Sequence, residues 1–139
     1  MIITMETDYA LRILRALLDG EKHTAVEIAA EELIPQNFAY QILRKLAKAG
    51  LIRVFRGQDG GCQLSCRLAD VSLYDLMEIV NGHNEVAACT DEGYICPWQQ
   101  ANGMCVVHAQ LSLLQDKLDK ELKAVSLWQL MTGRSSPSC

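Results

Sequence analysis

The chain has 139 residues, half of them hydrophobic and 22% charged, which excludes wholesale disorder and suits one domain, or one small domain with an appendage. No apolar run approaches the roughly 20 residues of a membrane-spanning helix. Met1–Ile2–Ile3 leads straight into Glu6 and Asp8, unlike a secretory leader, so a cytoplasmic protein with no membrane partner is expected.

The net charge of −4 argues against nucleic acid until its distribution is read. Gln36 to Arg56 holds five basic residues (Arg44, Lys45, Lys48, Arg53, Arg56) and no acidic one. Val71 to Gln115 holds five acidic residues and no Lys or Arg. A basic module inside an acidic chain still presents a local positive field to a phosphate backbone.

Residues 5–19 predict a first helix, with Tyr9, Ile13, Leu14, Leu17 and Leu18 at helical spacing and Gly20 as its stop. Thr24, with Glu27 three residues on, predicts a capping box at the start of a second short helix. Leu33-Ile34-Pro35 breaks it, and residues 36–49 predict a third helix. Phe38, Ala39, Ile42, Leu43, Leu46 and Ala47 form its apolar side. Gln36, Asn37, Tyr40, Gln41, Arg44, Lys45 and Lys48 form the other. Leu51–Arg56 alternates like a strand, Gly57–Gly61 is a turn, and Cys62–Arg67 is the return strand. The expected fold is mainly α with a small β-hairpin wing: a winged helix-turn-helix.

Ser72 caps a fourth predicted helix carrying Leu73, Leu76, Met77, Ile79 and Val80, and Asn81-Gly82 stops it. Residues 83–103 show no periodicity. Residues 106–123 form a long helix with Val107, Leu111, Leu114, Leu118, Leu122 and Val125 at steps of three and four, and Ser126–Leu130 adds one further turn.

The third helix has what a recognition helix needs. Asn and Gln pair with adenine, Arg with guanine, and Lys with phosphate; Arg53 and Arg56 sit where a wing reaches a backbone or minor groove. A solvated outer face is the alternative. Cys89, Cys96 and Cys105 follow the spacing C-x6-C-x8-C, which lacks the close pairs of a zinc finger. Two readings fit them: thiolates wrapping an iron–sulfur cluster, or ordinary buried cysteines. Pro97, directly after Cys96, suits a loop that does not regularise. Cys62 and Cys66 fall on one face of the return strand, roughly 13 Å apart by strand rise, too far to share a metal. Cys139 ends a loose tail. His108, three residues from Cys105, is a spare ligand candidate. The long helix packs either on its own domain or on a second copy, and a helix-turn-helix domain that reads two half-sites favours the second copy.

These residues resemble the bacterial winged-helix iron–sulfur regulators of the IscR, NsrR and RirA family. The similarity lies in Asp8–Arg12, Leu43–Ile52, Arg56-Gly57 with Gly60-Gly61, and Val71–Leu76, followed in order by the cysteine loop and the long helix. Two features depart from the family pattern: a longer cysteine loop, and Cys62 in place of an aromatic residue. The resemblance implies a homodimer that binds double-stranded operator DNA. It implies a cluster, [4Fe-4S] with [2Fe-2S] as the alternative, held by Cys89, Cys96 and Cys105, with Asp8 as a fourth ligand donated across the dimer. The implied function is a repressor that senses nitric oxide, redox or iron status. The alternative is a cluster-free regulator of the same fold that answers to a metabolite or a partner protein. An enzyme is not expected, since no C-x-x-C pair or βαβ pattern is present. The expected organisation is a DNA-binding domain over 1–82, a cluster-binding loop over 83–105, a dimerisation helix over 106–131 and a flexible tail over 132–139.

Overall fold

The computed structural model describes residues 2–135, so Cys139 and the rest of the predicted tail beyond Ser135 lie outside the described residues. Thr4 starts helix α1 (Met5–Ala16), its Oγ1 accepting the Thr7 N–H at 3.2 Å. Residues 17–19 form a turn rather than the last turn of that helix. The capping box at α2 (Ala25–Glu32) is present in both directions: Thr24 Oγ1 accepts from Glu27 N–H, and Glu27 Oε2 accepts from Thr24 N–H. The C-terminus of α2 is tied to α1 by charge. Buried Glu32 pairs with Arg15, and Arg12 Nη1 donates to the Glu32 carbonyl at 3.3 Å.

Leu33 then turns the chain with φ at 55°, a conformation that costs a non-glycine residue roughly 1–2 kcal/mol. Helix α3 follows (Gln36–Lys48). Ile13, Leu14, Ile28, Ile42 and Leu46 from the three helices, with Leu17 just beyond α1, are essentially fully buried in one core. Strands β1 (Ile52–Phe55) and β2 (Gly61–Leu64) pair antiparallel, with Arg53 opposite Gln63 and Val54 opposite Cys62. Strand β2 ends two residues before Cys66. Cys62 and Cys66 therefore do not share a strand face as the alternation suggests.

A short 3-10 turn (Leu68–Asp70) leads to α4 (Leu73–Asn81), opened by a capping box between Ser72 and Asp75. The segment after α4 is more regular than expected. It holds a 3-10 turn (Ala88–Thr90) and a helix, α5 (Pro97–Asn102). Pro97 does not keep the loop irregular: it occupies the first helical position, where a missing N–H costs nothing and φ is already set.

Helix α6 (Val106–Ala124) has no buried residue along its 19 positions. The chain then breaks at Val125 and forms a separate helix, α7 (Leu127–Thr132). Leu73 N–H donates to the Val125 carbonyl and Leu127 N–H to the Val71 carbonyl. Leu127 is fully buried in the core of the winged domain, where α7 packs on the Leu68–Asp70 turn. The segment 106–131 thus runs along α4 through α6, with one side half-buried and the other exposed, and enters the core of the winged domain through α7. No helix among the described residues is long and apolar enough to cross a membrane.

Candidate nucleic-acid interface and cysteine loop

Helix α3 buries Ala39, Ile42, Leu43 and Leu46 and leaves Gln36, Asn37, Tyr40, Gln41, Arg44 and Lys48 exposed. Gln36, Tyr40 and Arg44 recur every four residues, so they lie in one row along the helix. Phe38, read as a core residue, is 39% exposed and packs its ring 5.9 Å from that of Tyr9. Lys45 departs from the row. Its Nζ lies 2.7 Å from Glu6 Oε2 and donates to the Val80 carbonyl, also at 2.7 Å, so the ammonium joins α3 to α1 and α4.

The wing is held against the loop that precedes α2. His23 and Cys62 exchange both backbone hydrogen bonds, at 2.9 and 2.7 Å. Gln63 Nε2 donates to the Gly20 carbonyl, and Lys22 Nζ donates to the Asp59 carbonyl while lying 4.6 Å from the centre of the Phe55 ring. This close approach explains Gly61: with φ at 151°, an added Cβ would sit 3.0 Å from the His23 carbonyl oxygen. Arg53 and Arg56 stay exposed. Tyr40, Arg44, Val54 and Arg56 line a cleft of 540 Å³ between α3, the start of α2 and the wing. A polar helix row beside a braced basic hairpin is the arrangement that enters a groove with one element and grips the backbone with the other.

Cys62 is 5% exposed, and burial pushes its thiol above the ordinary range. Burial, reinforced by Asp70, does the same to Cys66. Both behave as apolar packing groups of the wing.

The cysteine loop is different. Cys89 sits in the 3-10 turn, Cys96 immediately precedes α5, and Cys105 immediately precedes α6. All three are free thiols and half-buried. Cys105 Sγ accepts the His108 N–H at 3.4 Å. The His108 side chain adds a second feature: its Nδ1 is buried and has no hydrogen-bond partner among the described residues, while Nε2 lies 3.5 Å from Ser112 Oγ. Asp8, on α1, is ion-paired with Arg12 at 3.0 Å and is half exposed. Among the described residues, no three His, Cys, Asp or Glu side chains come close enough to hold one metal ion. Within one chain, then, Cys89, Cys96, Cys105 and Asp8 are not brought together.

Sequence reasoning missed the apolar surface around this loop. Ile95 is 70% exposed, Trp98 53% and Met104 96%, next to Val106 and Val107 at the start of α6. The signal was present as Ile95 and Trp98 in a stretch without periodicity, followed closely by Met104, Val106 and Val107.

Comparison with known proteins gives one family. The family model Rrf2, described as an iron-dependent transcriptional regulator, matches residues 3–133. Protein aau3 of Rhizobium meliloti is 32% identical over 107 residues, covering 75% of this chain and 70% of that protein. The HTH-type transcriptional regulator NsrR of Geobacillus kaustophilus is 39% identical over 74 residues, covering 51% of this chain and 50% of NsrR. Among solved structures, CymR, the global cysteine regulator of B. subtilis, superposes with a TM-score of 0.74 at 17% identity, covering 95% of this chain and 97% of CymR. T. potens IscR superposes with a TM-score of 0.70 at 15% identity, covering 94% of this chain and 86% of IscR. At these identities the two structures establish the fold.

Proposed function

The chain belongs to the Rrf2 family of transcriptional regulators, and from that premise we propose that it is a homodimeric repressor whose grip on operator DNA depends on an iron–sulfur cluster. The observation that carries this reading is the position of the three free thiols. They lie on the segment that joins α4 to α6, a helix with no fully buried residue and one exposed apolar side.

DNA binding follows from the exposed row of α3. Gln36, Asn37, Tyr40 and Gln41 meet base edges, Arg44 makes a bidentate contact, and Lys48, Arg53 and Arg56 bind phosphates. Lys45 contributes by orienting α3 on α1 and α4. A second copy packs on the apolar residues that α6 leaves uncovered, among them Val107, Leu113 and Leu114. This sets two α3 helices to read half-sites about one helical turn, roughly 34 Å, apart.

The donor chemistry of the loop suits a cluster. Cys89, Cys96 and Cys105 supply three thiolates, and the end of α6 that faces Cys105 favours negative charge. For the fourth position, Asp8 fits as a carboxylate reached across the dimer. His108 fits on a specific observation, an unpartnered Nδ1 on a residue whose backbone N–H meets Cys105 Sγ. When bound, the cluster supplies an iron open to nitric oxide or oxygen. The protein's part is to gather 83–105 and fix the angle between the two recognition helices. A coupling of about 1–3 kcal/mol would change affinity by roughly 5–150-fold.

One observation favours a second reading. The three cysteines are not gathered among the described residues, as suits a cluster-free regulator of this fold that answers to a metabolite or a partner protein. Anaerobic purification with iron, sulfide and Mössbauer analysis separates the two. A brown protein whose colour is lost on serine substitution at Cys89, Cys96 or Cys105, but not at Cys62 or Cys66, supports the cluster. A colourless, iron-free protein that resists reconstitution supports the alternative.

A further inference from the structure

We propose that Gln115 is a positioning residue that clamps the segment carrying Cys89 to α6, so that a change in the cysteine loop reaches the long helix. The proposal rests on the reading of that loop as the sensing element.

Gln115 lies in the middle of α6, a helix that buries none of its residues. Glutamine in such a position ordinarily spends its amide on water. Here the whole amide is committed. Its Oε1 accepts the Val86 N–H at 2.7 Å, and its Nε2 donates to the Asn84 carbonyl at 3.1 Å and to Asp119 Oδ1 at 2.7 Å. Thr90 Oγ1 also lies 3.2 Å from Oε1, although the hydroxyl's one proton has a nearer acceptor in the Ala87 carbonyl at 2.7 Å. Two of the three short bonds hold backbone groups of residues 84 and 86, and Thr90 brackets Cys89 from the other side.

The far end of the clamp is anchored as well. Asn84 is 8% exposed, and its Nδ2 donates to the Tyr74 carbonyl on α4. The loop is therefore fixed to α4 by Asn84 and to α6 by Gln115, with Cys89 three residues beyond Val86. Any rearrangement that brings Cys89 toward Cys96 and Cys105 pulls on the Val86 and Asn84 backbone. The strain falls on the one side chain that joins them to α6.

The test uses the full-length protein, purified anaerobically, as wild type, Gln115→Ala and Gln115→Glu. The glutamate variant keeps the side-chain length but removes both N–H donors and sets a carboxylate against Asp119. Gln115→Glu combined with Asp119→Asn restores a donor at that contact and serves as the rescue. Two readouts are taken. Hydrogen–deuterium exchange of the cluster-free protein reports the clamp itself, because the Val86 amide depends on Gln115 whether or not iron is present. Affinity for a selected operator duplex, measured with and without cluster, reports transmission. In Gln115→Ala, exchange should rise over 84–90 and stay unchanged over α1–α3; Gln115→Glu keeps an acceptor for the Val86 N–H and loses the bonds to the Asn84 carbonyl and Asp119. Iron content should match wild type, since no ligand is lost. The loaded-to-cluster-free affinity ratio should fall from the roughly 5–150-fold of a coupled pair of sites to about twofold or less, and the double variant should recover part of it.

Unchanged exchange over 84–90 in Gln115→Ala overturns the clamp, whatever the affinities. Raised exchange with an intact affinity ratio overturns the transmission. A wild-type protein whose operator affinity ignores the cluster overturns the functional reading and the transmission with it, while the exchange result still decides the clamp.

Discussion

Lys45 and Glu6 meet at 2.7 Å, and the same ammonium donates to the Val80 carbonyl, which takes one cation of the recognition helix away from its outer row. Binding and stability should therefore separate along α3. Lys45→Met should cost about 0–1 kcal/mol of stability, as expected of a half-exposed pair, and lower operator affinity less than Arg44→Ala does. Arg44→Ala should cost about 1–3 kcal/mol of operator affinity, and Lys48→Ala should weaken all sequences alike and lower the salt slope by about 1. Chemical denaturation and duplex titrations across a salt series measure both. A larger affinity loss for Lys45→Met than for Arg44→Ala would contradict this division.

Leu114 is 47% exposed and Val107 65% exposed on a helix with no fully buried residue. Introducing Glu at either should produce a monomer by analytical ultracentrifugation with the winged domain still folded, and operator affinity should fall as two linked contacts become one. Point substitution is the cleaner test, because removing everything after Cys105 also removes Leu127 from the core of the winged domain. A dimer that survives both substitutions would place the interface elsewhere.

The cysteines divide by environment. Burial raises the thiols of Cys62 and Cys66, so both should resist alkylation in the cluster-free folded protein at neutral pH, while Cys89, Cys96 and Cys105 react first. Peptide mapping after timed labelling reads the order. The protection should persist until pH rises toward the raised thiol values, then fade. Early labelling of Cys62 would contradict the braced wing.

His108 and Asp8 predict different outcomes at the fourth position. Asp8 has Arg12 as a partner, whereas His108 Nδ1 has none. Mössbauer spectra of reconstituted His108→Ala should therefore change in the signal of one iron. Asp8→Ala alters that signal only if its carboxylate leaves Arg12. A changed spectrum for Asp8→Ala with an unchanged one for His108→Ala would assign the position to the carboxylate.

Local signals carried most of the winged domain. Thr24 with Glu27, and Ser72 with Asp75, mark their helix starts by hydrogen bonds that span three residues, so the sequence alone displays them. What stayed hidden depends on distant partners. Lys45 looks like its neighbours on a helical wheel, and only Glu6 and Val80 distinguish it. The last helix reads as one further turn of the long helix until Val71 and Leu73 are seen to hold its start. Pro97 was legible but ambiguous, since the same residue ends one helix and begins another. Of the site, the exposed row of α3 and the cysteine positions were readable, whereas the unpartnered His108 Nδ1 was not, because it is a property of packing.

The central claim is that operator affinity depends on the cluster. Its most direct measurement is an anaerobic titration of one selected duplex with one reconstituted preparation, before and after the cluster is removed by chelation, with Cys89→Ser in parallel. The account predicts an affinity change of roughly 5–150-fold for wild type, the magnitude of a typical coupling between two sites, and a Cys89→Ser protein that behaves like the stripped form throughout. Equal affinities before and after removal, in a wild-type protein shown to have lost its iron, would contradict it.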